Sequence, residues 1–111
     1  MVMTGPWLLY GANGYTGDLV ARLAAARGHR PILAGRRADE ICALAEELRL
    51  ERRLFSLDEP ARIDEALGGM SLVLHCAGPF SRTSKAMADA CLRTRTHYLD
   101  VTGEVEVFEA L

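Results

Sequence analysis

Residues 11–17 read Gly11-Ala12-Asn13-Gly14-Tyr15-Thr16-Gly17, three glycines at a spacing of three, between a short apolar run and a stretch of helical period. A glycine-rich turn from a parallel strand into a helix is where a dinucleotide's pyrophosphate is held. Gly11 allows the tight turn off the strand, Gly14 removes a side chain where the pyrophosphate must approach the backbone, and Gly17 lets the helix pack close to the sheet. The free N–H groups and the positive dipole end of the helix hold the anion. Asn13 fills the position by which G-x-x-G-x-x-G exceeds the commoner G-x-G-x-x-G, where a left-handed backbone is tolerated. A turn without a ligand would use some of these residues, but glycine costs folding entropy and the turn has no packing need for three.

A second group of residues addresses which dinucleotide. An NAD site commonly places Asp or Glu at the end of the second strand, on the ribose 2′-hydroxyl. Here that position reads Gly35-Arg36-Arg37. With no carboxylate to repel a 2′-phosphate and guanidinium groups able to fork onto it, NADP is expected over NAD. Asp58 is a candidate for the adenine side, and a plain helix cap explains it equally well. Cys76-Ala77-Gly78-Pro79-Phe80 follows the fourth apolar run, so Ala77, Gly78, Pro79 and Phe80 are expected beside the nicotinamide, where small residues leave room; a simple turn has the same composition.

Other chemistries lack their residues. There is no G-x-x-x-x-G-K-[ST], so the loop is not that of a nucleoside-triphosphate site. There is no Tyr-x-x-x-Lys pair, because Lys85 is the only lysine and position 81 is Ser. His29 falls between elements and His75 ends an apolar run, so both read as structural. Cys76 has no identifiable activating base and reads as a small buried hydrophobe. No catalytic acid or base is assigned, and no metal set is seen.

These residues need a scaffold that brings strand ends together. Apolar runs at Trp7–Tyr10, Pro31–Ala34, Arg53–Leu57, Ser71–Cys76 and His97–Val101 alternate with helical stretches. The helices are expected up to Gly28, over about 38–49, from an Asp58 cap to Gly68, and over about 81–93. The run at 71–76 is nearly all apolar, as in a central strand buried on both faces. Glu104–Leu111 reads as the start of another helix. The expectation is an α/β fold, a Rossmann-type doubly wound parallel sheet of about five strands in the order 3-2-1-4-5, truncated after the fifth.

Composition bounds the rest. The chain has 111 residues, 50% hydrophobic and 25% charged, with net charge −2, so one globular domain over 1–111 is expected and disorder is excluded. Thirteen basic against fifteen acidic residues, with no basic run, argue against nucleic acid as partner. No apolar run is long enough for a membrane span or a signal peptide. Cys42, Cys76 and Cys91 are odd in number and widely spaced, as expected of reduced thiols in the cytoplasm.

Taken together, GANGYTG at 11–17, LAGRR at 33–37, CAGPF at 76–80 and HYLDVTGE at 97–104 resemble the N-terminal cofactor domain of the saccharopine dehydrogenase-like oxidoreductases, a group that includes bacterial trans-acting enoyl reductases. The resemblance covers essentially the whole chain. It implies an NADP-binding domain followed by a larger domain that supplies the substrate pocket and often a dimer interface. It places Gly11, Asn13, Gly14, Tyr15, Thr16 and Gly17 on the pyrophosphate, Arg36 and Arg37 on the 2′-phosphate, and Ala77 to Phe80 at the nicotinamide. On this reading the substrate domain is absent from the 111 residues, and the exposed edge of the sheet invites self-association. A non-enzymatic dinucleotide-sensing module and an atypical short-chain reductase remain alternatives.

Overall fold

The structure, a computed structural model, describes residues 5–76 and 80–100, and of residues 80–83 the backbone alone. Five parallel strands, β1 (Trp7–Tyr10), β2 (Ile32–Gly35), β3 (Arg52–Leu54), β4 (Leu72–His75) and β5 (His97–Asp100), form one sheet in the order β3-β2-β1-β4-β5. The expected order is therefore the observed one. Four helices connect them: α1 (Tyr15–Ala26), α2 (Ala38–Leu48), α3 (Pro60–Leu67) and α4 (Phe80–Thr94).

Alternation along each strand builds two cores. Leu8 and Tyr10 of β1, Ala34 of β2 and Val73 of β4 face α3 and α4, packing with Ile63, Leu67, Met87 and Ala90. Leu9 and Leu33 face the other way, onto Ala21 of α1 and Ile41, Leu44 and Ala45 of α2. Helices on opposite faces follow from right-handed crossovers: the chain runs outward from β1 to β3, then returns to start β4 on the far side of β1. Ile63 and Leu67 are each 1% exposed, and burial of such a side chain stabilises by roughly 1.5–3 kcal/mol.

Helix ends follow local chemistry. Gly28, at φ +83°, closes α1, with its N–H donating to Ala25 O (3.1 Å) and that of His29 to Ala24 O (2.9 Å). Only glycine adopts that left-handed turn without strain. α2 ends instead on Arg49 at φ 57°, and the Leu50 that follows is buried under it.

Several expectations need correction. The expected cap Asp58 lies one residue too early: Glu59 is the N-cap of α3 and Pro60 its first residue. Proline fits the first helical position and drives the residue before it into the extended region, which fixes the boundary. β2 starts at Ile32, because Pro31 has no N–H for the ladder. β3 is three residues long and leaves Phe55 as a buried core residue beyond its end. β4 is not buried on both faces: Val73 and His75 are buried, while Leu72 and Leu74 are half-buried. Leu74 packs only partly buried against the α1–α2 core, while Val73 is fully buried against α3 and α4. Residues 101–111, including the expected last helix, lie outside the described residues.

Candidate functional site

Because all five strands are parallel, their C-terminal ends share one edge, and the helices change faces between β1 and β4. A crevice at such a switch point is where open α/β sheets take ligands. Gly11 leaves β1 at φ +82°. Its N–H and that of Ala12 both donate to Ala34 O, at 2.8 and 3.3 Å, which ties the loop to the end of β2. The Gly14 N–H then donates to Gly11 O (3.1 Å), and Gly14 is the N-cap of α1. Gly14, Tyr15 and Thr16 are exposed, so the first N–H groups of α1, which have no intrahelical acceptor, open onto the edge.

The three glycines have different reasons to be glycine. Gly11 needs its positive φ. A Cβ on Gly17 would lie 2.1 Å from Gly11 O and 2.9 Å from Ala12 Cα, so the helix touches the loop backbone there. Gly14 has an ordinary φ of −75°, and a Cβ there would meet only Gly11 O, at 3.5 Å. Neither its backbone angle nor its neighbours within the fold demand glycine at 14. Asn13 does not take the left-handed conformation expected of it: the only non-glycine positive φ values among the described residues are at Arg49 and Arg95.

At the neighbouring corner Gly35 is buried, and Arg36 and Arg37 stand exposed at the start of α2. Arg37 Nε lies 3.0 Å from Glu40 Oε2, and the same oxygen accepts from Asn13 Nδ2 at 2.7 Å. A Cβ on Gly35 would sit 3.2 Å from Asn13 Oδ1 and 3.0 Å from Ile41 Cδ1, so glycine there keeps the two loops close. Tyr10 reaches across under β2, and its hydroxyl donates to the Phe55 carbonyl (2.9 Å). Burial pushes this phenol up to about 12; the Arg36 charge opposes the shift and Asp58 adds to it. Both charges therefore act on the Tyr10 hydroxyl, and both residues are exposed.

On the other side of the switch point, Cys76 N–H donates to Tyr10 O (2.8 Å). Burial raises its thiol to about 11, so it stays a neutral thiol near neutral pH, in keeping with its reading as a small hydrophobe. His75 is buried between Tyr10 and Tyr98, with ring centroids at 5.7 and 6.2 Å. Burial lowers it to about 4 against the opposing charge of Asp100. Tyr98 donates to Asp100 Oδ2 (2.8 Å). Ala77, Gly78 and Pro79 lie outside the described residues, as does the side chain of Phe80, which begins α4. No group of residues among those described is arranged to hold a metal ion, and no helix among them is long and apolar enough to cross a membrane. Sequence reasoning missed Tyr10 and Glu40. Glu40 carries one readable signal, its place three residues after Arg37; its bond to Asn13 has none.

The sequence matches the family described as the saccharopine dehydrogenase NADP binding domain over residues 7–109. It is 32% identical over 105 residues to a trans-acting enoyl reductase of Mycobacterium leprae, covering 88% of this chain and 25% of that protein. It is 26% identical over 123 residues to a saccharopine dehydrogenase-like oxidoreductase of Bos taurus, covering 94% of this chain and 29% of the relative. The chain thus spans about a quarter of the length of these relatives. Its fold is also similar to that of the apo saccharopine dehydrogenase (L-Glu forming) of Saccharomyces cerevisiae, at TM-score 0.76 and 19% identity over 95% of this chain and 23% of that one.

Proposed function

The chain belongs to the saccharopine dehydrogenase NADP-binding domain family, and on that premise we propose that it is the cofactor unit of an NADP-dependent oxidoreductase whose substrate domain lies outside these 111 residues. The observation that carries the site assignment is Gly14, whose missing side chain answers to no contact within the fold. The cofactor, when bound, supplies the hydride chemistry, and the protein supplies binding and orientation.

In this reading the loop Gly11–Gly17 presents backbone N–H groups and the N-terminus of α1 to the pyrophosphate, with Asn13, Tyr15 and Thr16 lining it. Gly35 forms the floor of the adenosine end, Arg36 and Arg37 take the 2′-phosphate, and Asp58 sits on the adenine side. Ala77, Gly78, Pro79 and Phe80 line the nicotinamide side. Neither Cys76 nor His75 is given a proton-transfer role, since burial keeps both neutral near neutral pH. In the same reading the protein works in the cytoplasm of a bacterium, which its three free cysteines and its likeness to bacterial enoyl reductases support. Leu19, Leu23 and Leu99, each more than half exposed, provide a surface for self-association.

Calorimetry with NADPH and NADH tests the assignment. The expected result is NADPH binding with a dissociation constant on the order of micromolar and NADH at least about tenfold weaker, one forked charge contact being worth about 1.4 kcal/mol or more. Binding of neither would overturn it.

A further inference from the structure

We propose that Glu40 is a specificity-determining positioning residue, whose carboxylate ties the Arg37 guanidinium to the glycine-loop residue Asn13 and so sets Arg37 for the cofactor's 2′-phosphate. The proposal rests on the NADP reading above and extends it to a residue that touches no part of the cofactor.

Three features separate this contact from an ordinary surface ion pair. An isolated exposed pair three residues apart on a helix holds its partners loosely and contributes little. Here the oxygen that meets Arg37 Nε at 3.0 Å also accepts from Asn13 Nδ2 at 2.7 Å, a residue from a different loop. Asn13 sits in a loop that is itself tied down, the Gly11 and Ala12 N–H groups just before it donating to Ala34 O at 2.8 and 3.3 Å. The carboxylate is therefore pinned from the loop side and passes that constraint to the arginine.

The atom engaged also matters. Glu40 meets Arg37 through Nε, at the inner end of the guanidinium, which leaves the terminal Nη pair for a second anion. Glu40 lies in the first turn of α2, where a carboxylate is favoured by the helix dipole. One acceptor thus connects the pyrophosphate loop to the 2′-phosphate arginine. The loop contacts any dinucleotide, whereas the arginine distinguishes phosphate from hydroxyl, so losing the tie weakens NADPH more than NADH.

The test is calorimetric titration of the chain and its E40A, E40Q and R37A variants with NADPH, NADH, adenosine 2′,5′-bisphosphate and adenosine 5′-monophosphate, with thermal melts to verify folding. E40A is expected to weaken NADPH and the bisphosphate by about three- to tenfold, the range for contacting residues in one network, and NADH and the monophosphate by less. E40Q keeps an acceptor oxygen at the same reach and removes the charge, so it restores NADPH to within about twofold of the parent. In the R37A background, E40A no longer affects NADPH more than NADH.

Equal loss for both cofactors would mean a merely structural role and overturns the proposal. Tighter NADPH binding by E40A would mean that Glu40 acts by repulsion. Preferential loss of NADH would mean that it serves the ribose hydroxyl. E40Q as weak as E40A would remove the acceptor role. Each of these overturns the Glu40 assignment while leaving the NADP reading intact, whereas a parent chain that binds neither cofactor overturns both.

Discussion

Substituting alanine at Gly14 and at Gly17 separates what the loop does for the fold from what it does for a ligand. At Gly17 the new methyl would start 2.1 Å from Gly11 O and 2.9 Å from both Gly11 C and Ala12 Cα, all backbone atoms of the turn. A carbon approaches a carbonyl oxygen no closer than about 3.3 Å, so the start of α1 must retreat by about 1 Å from the sheet. Overpacking of this kind costs about 2–4 kcal/mol, a large part of the roughly 5–15 kcal/mol that stabilises a domain, and lowers the melting temperature by roughly 10–25 °C. At Gly14 the methyl meets only Gly11 O, at 3.5 Å, with φ −75° open to any residue. The weaker alanine N-cap and the reduced entropy of the unfolded chain oppose each other, so stability stays within about 1 kcal/mol. NADPH affinity nevertheless falls at least about tenfold, since the methyl fills the space assigned to the pyrophosphate. Thermal melts without cofactor and calorimetry with it give the two readouts. A Gly14→Ala variant that binds NADPH like the parent would refute the ligand argument, and a Gly17→Ala variant that melts like the parent would refute the packing argument.

Other predictions concern the supports of the site. Tyr10→Phe removes the bond to the Phe55 carbonyl and should lower stability by about 1–2 kcal/mol in urea titration; a midpoint equal to the parent's would show the bond to be idle. His75 is held down from 6.5 to about 4, so between those values the unfolded chain takes up a proton that the native state refuses. Stability is therefore full above pH 6.5 and falls as pH drops to 4, by up to about 3 kcal/mol. His75→Phe should flatten that slope in melts across the window, and an unchanged slope would assign it to other groups. Leu23→Glu with Leu99→Lys should abolish concentration-dependent association in sedimentation, and a strict monomer in the parent chain at high concentration would remove the premise.

What the sequence made legible was what repeats or what leaves no choice. The period of Ile41, Leu44 and Ala45 located α2 and its buried face, and the alternation of elements led to the sheet order through crossover handedness. Gly11 and Gly17 were readable because each meets a local steric demand. Asp58 was misplaced as a helix cap because the proline two residues later overrides cap preference, an effect of one residue that pattern reading does not resolve. β4 was read as buried on both faces because apolar content reports what a strand can bury and not what covers it. Asn13, Glu40 and Tyr10 act through partners far away in the chain, and pairings of that kind exist only once the sheet has brought its strand ends together.

The reach of Tyr10 under β2 has a dynamic consequence. β3 is a three-residue edge strand, the type of element that opens first in native-state hydrogen exchange. Tyr10 belongs to the middle strand of the sheet, and its hydroxyl holds the carbonyl just beyond the end of β3. Fraying at that end must therefore break a bond anchored in the most protected part of the domain. The adenosine corner, which would otherwise exchange as a peripheral loop, is drawn into the same cooperative unit as the core.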